Sequence, residues 1–317
     1  RHPWTPLAVG LAVPLLLLPL AGRWSLHRSE GERARSFLSG LPVALLQPNV
    51  PNLVEPDPAE VIRNYRKVVE LSRGACQPGT LVVWPESAAW PFLYGRDPLL
   101  TADLQEMTDR GCTVVFNSSS PAGDSYYNSA FLLAPRSAPV RYDKRHLVPF
   151  GEYVPLKDVF FFLKKLARSA GDYRHADRLV LLPWRGERLG PAICYEVVFP
   201  DEVAELTRAG ATVLLTITND AWYGDTAAPW QHFRAVRFRA AENRRTFLRA
   251  AITGVSAVVA PDGSVRDEIG VYREGVIRAI VAGESELTLY ARYPWLLPLL
   301  CSGAAAFAIY FARRSRI

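Results

Sequence analysis

One cysteine stands where a thiol can do chemistry. The apolar run 189–193 stops at Cys194; Tyr195 and Glu196 follow, and Pro200-Asp201-Glu202 signals a helix start. A thiol at the end of a strand, on the elbow into a helix, has the placing of a nucleophile. The alternative is a small buried hydrophobe, as most free cysteines are. An ordinary thiol is only a few per cent thiolate at neutral pH, so a nucleophile here needs a base beside it. Three more apolar runs end in polar groups: Trp84-Pro85-Glu86, Phe116-Asn117-Ser118 and Thr218-Asn219-Asp220. Each alone reads as turn chemistry. Sites in α/β proteins gather at the carboxyl ends of strands, so the four together suggest one shared site.

The elements that must hold these residues alternate. Strands are expected over 41–49, 80–86, 113–119 and 212–220, and in "RLVLLP" and "RLGPAICYE". "YNSAFLLAP" and "PVRYDK" read as a hairpin pair. Val61, Ile62, Tyr65, Val68 and Val69 recur at helical spacing within 58–73. Further helices are expected over 99–110, ended by Gly111, and in "DEVAELTRAG" and "PWQHFRAVRFRAAENRR". "TFLRAAI", "GVSAVVAP" and "GVIRAIV" complete the body, with "PDGS" (261–264) as a hairpin turn. The pattern is α/β, with strands enough for two sheets and helices outside them.

The 317 residues are 49% apolar and carry a net charge of +6, a balance that favours anionic partners. The chain lacks zinc-ligand spacing, a basic-aromatic RNA motif and a Lys/Arg-rich run, so lipid is expected and nucleic acid is not. Cys76, Cys112, Cys194 and Cys301 form no CxxC pair, which argues against a metal or redox motif. Cys76 and Cys112 each precede an expected strand; in an oxidising compartment they have the option of pairing, which spacing alone does not decide. Residues 294–312 are uncharged, ~29 Å as a helix at about 1.5 Å per residue, with aromatics at both ends and "RRSRI" after them. They read as a spanning helix with a cytoplasmic C-terminus, against the alternative of a buried core helix. Residues 3–22 are a second uncharged run, expected to span rather than to be a signal peptide. The expected organisation is a membrane helix over 1–22, a catalytic body over 23–292 on the extracytoplasmic side, and a membrane helix with a basic tail over 293–317. With Arg1 first and Met107 the sole methionine, an upstream portion is expected to be missing.

"VVWPES", "YDKRHLVPFGEYVP", "AICYE" and "TNDAWYG" resemble the nitrilase superfamily. The resemblance is closer to its membrane branch, the apolipoprotein N-acyltransferases, through "HLVPFGEYVP", "ICYE", "NDAWYG" and "PWQHF". It implies a nitrilase-like αββα sandwich flanked by transmembrane helices and a triad of Glu86, Lys144 and Cys194. Glu86 is then the base, and Lys144 stabilises the tetrahedral oxyanion with the Tyr195 N–H as a second donor. It further implies that Glu152 and Glu196 line the site and support Lys144. Tyr195 shapes the acyl pocket, and Trp222 and Tyr223 wall it. Two departures stand out: the family has more membrane helices before the catalytic domain, and the loop "PNLVEPDPAE" carries no aromatic where the family often has a tryptophan.

"PLKDVFFFLKKLARSAG" sets Phe160, Phe161 and Phe162 among lysines, the composition of an interfacial arm. The reaction the resemblance implies moves an acyl chain from a phospholipid, through a Cys194 thioester, to the α-amine of a diacylglyceryl-modified lipoprotein. It implies no metal and no organic cofactor, and a place in the bacterial inner membrane with the catalytic body on the periplasmic side. The alternatives are a membrane-tethered amidase that uses water, and an inactive membrane-anchored binding module.

Overall fold

The computed structural model describes residues 40–51, 57–153 and 173–314. The runs 3–22 and Phe160–Phe162, and most of the loop "PNLVEPDPAE", lie outside the described residues.

Among the described residues, twelve strands form two six-stranded sheets. The first is built from β1 (Leu41–Gln47), β2 (Leu81–Val83), β3 (Thr113–Ala122), β4 (Ser125–Leu133), β5 (Val140–Asp143) and β12 (Gly275–Val281), in the order β12-β1-β2-β3-β4-β5. The second holds β6 (Leu182–Trp184), β7 (Glu187–Ile193), β8 (Val213–Thr218), β9 (Phe247–Ala251), β10 (Ser256–Val259) and β11 (Val265–Ile269), in the order β11-β10-β9-β8-β7-β6. β1, β2 and β3 run parallel, as do β7, β8 and β9; antiparallel strands flank both centres.

The period of two along a strand sorts side chains into layers. Val43 and Leu45 of β1 face the core between the sheets, where they join Leu81, Val115, Ile193, Leu215 and Leu248. Ala44 and Leu46 face the other way, beneath α1 (Pro58–Ala75) and α2 (Pro98–Asp109). α3 (Pro200–Arg208) and α4 (Ala228–Asn243) cover the second sheet. The result is the expected α/β sandwich, helices outside and two sheets within. It explains why β8, "VLLTIT", is buried at every position: both faces of a central parallel strand are covered.

Local signals set the helix ends. Asp57 caps α1 by accepting from the Ala59 N–H, with Pro58 in the first turn. Val61, Tyr65, Val68, Val69 and Ser72 make its buried stripe. α3 opens on Pro200 with Asp201 and Glu202 in its first turn and closes on Arg208, an arrangement that complements the helix dipole.

Cys76 and Cys112 are joined in a disulfide, with Cα atoms 5.8 Å apart. The parallel pairing of β2 with β3 is what brings the end of α1 to the start of β3. Closing a loop with a sequence separation of 36 constrains the unfolded chain by about 3–4 kcal/mol. The C76A/C112A double variant is therefore expected to unfold at lower urea by that amount. An unchanged midpoint would show that the bridge does not close the loop in solution.

The C-terminal segment is pinned to the body before it leaves it. The Glu187 carboxylate accepts from the Gly283 N–H, Arg245 donates to the Glu286 carbonyl, Thr288 Oγ1 to that of Glu242, and Arg208 to that of Ala291. α5 (Leu289–Arg292) and α6 (Leu296–Arg314) follow. α6 forms where a spanning helix was expected, but among the described residues no helix is long and apolar enough to cross a membrane. Arg313 and Arg314 close the helix. Its apolar side chains are nonetheless exposed, among them Leu299, Leu300 and Ile309, and so is Trp295 just before it.

Candidate active site

Three of the four expected strand ends converge, joined by the end of β5; the fourth, Phe116-Asn117-Ser118, is not an end, because β3 runs on to Ala122, and Asn117 serves the site from mid-strand. β2 stops at Val83 and turns through Trp84-Pro85, which delivers Glu86 into the interior. β5 stops at Asp143 and leaves Lys144 with only 1% of its surface exposed. β7 stops at Ile193, and Cys194 opens a 3₁₀ turn, Cys194–Val198. β8 ends at Thr218 ahead of a second 3₁₀ turn, Asp220–Tyr223.

Lys144 Nζ lies 2.8 Å from Glu152 Oε1 and 3.6 Å from Glu86 Oε1. One amide serves both carboxylates: Asn128 Nδ2 donates at 2.8 Å to Glu86 Oε1 and at 2.8 Å to Glu152 Oε1. Its orientation is fixed from behind, because Asn117 Nδ2 donates to Asn128 Oδ1 at 2.7 Å and so turns the Asn128 amino group toward the carboxylates. Asn117 is held in turn by the Ser87 N–H and the Ser129 carbonyl. Backbone donors complete the shell: Asn219 N–H to Glu86 Oε2 at 3.0 Å, and Val148 N–H to Glu152 Oε2 at 2.9 Å. Each of the four carboxylate oxygens has a donor, which is the condition for keeping such charges inside a protein.

The electrostatics follow from burial and neighbours. Burial pushes the Cys194 thiol well up, the Glu86 charge adds to that, and Lys144 opposes it. The resting group is therefore a neutral thiol. Burial alone would lower Lys144, but Glu86, Cys194 and Glu152 outweigh it and hold the ammonium charged. Burial raises Tyr223, with the Cys194 charge next in weight, and its ring meets His232 edge-on. The arrangement has a thiol that must lose its proton, a carboxylate within its field, and a fixed cation beside both.

Glu196 stands behind the site rather than on its surface, with 2% exposed. It accepts from the Tyr142 hydroxyl, from the N–H groups of Arg145 (2.6 Å) and His146 (3.1 Å), and from Ile193 N–H (2.6 Å). It thus ties the residues just after Lys144 to the residue just before Cys194. Burial raises its carboxyl, against Lys144 and those three backbone donors. Tyr195 packs edge-on against Phe199, which stacks on His146. Trp222 is 66% exposed, with Phe150 and Trp90 also exposed, all on segments that leave the site end of the sheets. Asn128 was not anticipated from sequence; its one signal is an amide interrupting an otherwise apolar strand.

The carbon–nitrogen hydrolase family profile matches residues 42–285. The chain is 37% identical to an apolipoprotein N-acyltransferase of Geobacter metallireducens, over 99% of this chain and 61% of that one. It is 35% identical to an apolipoprotein N-acyltransferase of Ralstonia nicotianae, over 100% of this chain and 60% of the relative. The chain thus spans about three-fifths of the length of these curated relatives. Its fold is similar to that of a CN-hydrolase superfamily protein from Xanthomonas campestris (TM-score 0.57, 20% identity, 82% of this chain and 97% of that one). It is also similar to a mutant of the Nesterenkonia AN1 amidase (TM-score 0.57, 22% identity, 77% and 91%).

Proposed function

The chain belongs to the carbon–nitrogen hydrolase family, and on that premise we propose that it transfers an acyl chain from a phospholipid to the α-amine of a diacylglyceryl-modified lipoprotein. The observation that carries this reading is where the similarity extends. The hydrolase domain ends at residue 285, yet the relatives named as N-acyltransferases match 99–100% of the chain, its apolar flanks included. A family of water-using amidases alone gives no reason for those flanks to match.

In the proposed first step, Glu86 takes the Cys194 proton as sulfur attacks the ester carbonyl. Charge on the tetrahedral oxygen is met by Lys144 and by the Tyr195 N–H. The intermediate collapses to a Cys194 thioester and releases a lysophospholipid. In the second step the lipoprotein amine attacks the thioester, and the thiol is restored. Trp222 and Tyr223 are the proposed acyl-side walls, and Glu152 and Glu196 the supports of Lys144. The exposed apolar α6 is the proposed membrane contact, on the outer face of a bacterial inner membrane. The Cys76–Cys112 bridge supports that side, because disulfides persist in oxidising compartments.

Intact-mass measurement in detergent micelles with a defined phospholipid tests the reading. It expects a gain of one acyl chain, mapped to Cys194, removed by hydroxylamine, and discharged faster by an amine lipopeptide than by water. Discharge at the same rate with and without the lipopeptide would mean an amidase. No adduct from phospholipid, with one from a simple amide, would mean the same.

A further inference from the structure

We propose that His232 is a positioning residue for acylation: its Nε2–H holds the Cys194 carbonyl and so fixes the backbone turn that aims the nucleophile. The proposal rests on Cys194 as the acylated group, as read above.

Cys194 has φ of 52°, a left-handed backbone that residues other than glycine seldom adopt. Such a conformation persists at a site only where the surroundings over-determine it. Its carbonyl leaves β7 at the point where the strand ladder ends, and it finds its partner in α4: His232 Nε2 lies 3.0 Å away. A carbonyl can only accept, so Nε2 carries the proton of this bond.

The ring is itself held. His232 Nδ1 lies 2.9 Å from Asp220 Oδ1. Thr218 Oγ1 donates to the same oxygen at 2.9 Å, and Arg249 Nη2 donates to Asp220 Oδ2 at 2.5 Å. Arg249 Nε is anchored on the Val255 carbonyl at 2.9 Å. The Asp220 and Arg249 side chains are entirely buried. Burial would raise Asp220, but Arg249, His232 and Thr218 together outweigh it and hold the carboxyl at about 2. Space for the carboxylate is reserved by Gly254, where an added Cβ would fall 2.1 Å from Asp220 Oδ2. The relay therefore runs from β9, through the turn after β8, across α4, to the nucleophile. It is built on rigid elements, as a positioning device requires. Neither His232 nor Arg249 is bonded to Glu86 or Lys144; His232 reaches the site at the Cys194 carbonyl, while Asp220 is next to Asn219, whose N–H meets Glu86. A displacement of about 1 Å in a reacting group costs on the order of 100-fold in rate.

The test compares His232→Gln with His232→Asn on the burst of nitrophenol from a short-chain p-nitrophenyl ester, which needs no phospholipid. The Gln amide reaches the place of Nε2, and the Asn amide stops at the place of Nδ1. H232Q is expected to acylate within about 5-fold of wild type and H232N about 100-fold slower, while both lose thermal midpoint equally. Equal burst rates in the two variants, or rates that track the midpoint, would overturn the proposal. Should neither variant fold, ¹⁵N-histidine spectra of the wild-type chain read the bond directly. A slowly exchanging proton on Nε2 of the buried His232 ring supports it; an unprotonated Nε2 refutes it. A wild-type chain with no burst but with that proton would count against Cys194 as nucleophile and leave the bond standing.

Discussion

Cys194→Ala is expected to abolish the acyl adduct and to lower acyl transfer by about 10⁴-fold or more, the scale on which removing a covalent nucleophile acts. The loss should come without unfolding. The side chain is 92% buried by its 8% exposure, but it ends in a single sulfur, and neighbours from both sheets close around it. Removing that atom leaves a void smaller than a methylene-rich truncation would, at about 1 kcal/mol. Cys194→Ser separates chemistry from packing more sharply. Serine nearly keeps the volume and places a hydroxyl where the thiol was. A hydroxyl is far harder to ionise than a thiol, and a carboxylate such as Glu86 is too weak a base to make up the difference. C194S should therefore fold like wild type and form no hydroxylamine-sensitive adduct. Intact mass and a thermal melt on the same samples decide the matter. An adduct retained by C194A, or mapped to Cys301, would remove Cys194 from the reaction.

The ends of β2, β7 and β8 were legible in sequence because each couples an apolar run to an abrupt polar stop; at Phe116-Asn117-Ser118 the same mark misled, because β3 carries its polar residues on to Ala122 in register with β4. The periodicities of α1 and of the hairpin β4–β5 were equally plain. β11 was not anticipated. Its residues, "VRDEI", do not alternate, because it is an exposed edge strand with Asp267 and Glu268 turned to solvent, where charge discourages a further strand from pairing. The network behind the site was hidden for a different reason. Asn219 meets Glu86 across 133 residues, and Asn128 meets Glu86 across 42. A lone asparagine in an apolar strand, or a lone histidine in an amphipathic helix, carries no local mark of such a partner. Glu196 shows the converse. Its position next to the thiol suggested the surface of the site, yet a 3₁₀ turn swings it back by one step, onto the amides of the Lys144 loop. The disulfide was open in sequence because its closeness comes from sheet order, which spacing does not encode.

Lys144→Met should lower acyl transfer by about 10³-fold, the scale of losing the chief donor to a developing oxyanion, and should also cost stability. The cation lies between two carboxylates that share one amide, Glu86 and Glu152. Taking away one partner of a buried ion pair costs about 3–5 kcal/mol, because the remaining charges stay buried without compensation. A single variant therefore cannot tell a charge balancer from a catalytic cation. The double variant K144M/E152Q can. Glutamine at position 152 removes the surplus negative charge, keeps an oxygen for the Val148 N–H, and leaves Glu86 with its donors Asn128 and Asn219. Urea unfolding should show most of the lost stability returned. The burst of ester acylation should stay about 10³-fold down, because nothing then stands where negative charge develops beside the sulfur. If acylation returned together with stability, Lys144 would be holding two carboxylates in place and the oxyanion would be met elsewhere. If stability stayed low in the double variant, the cost would lie in the cavity left by the lysine stem and not in the unpaired charge.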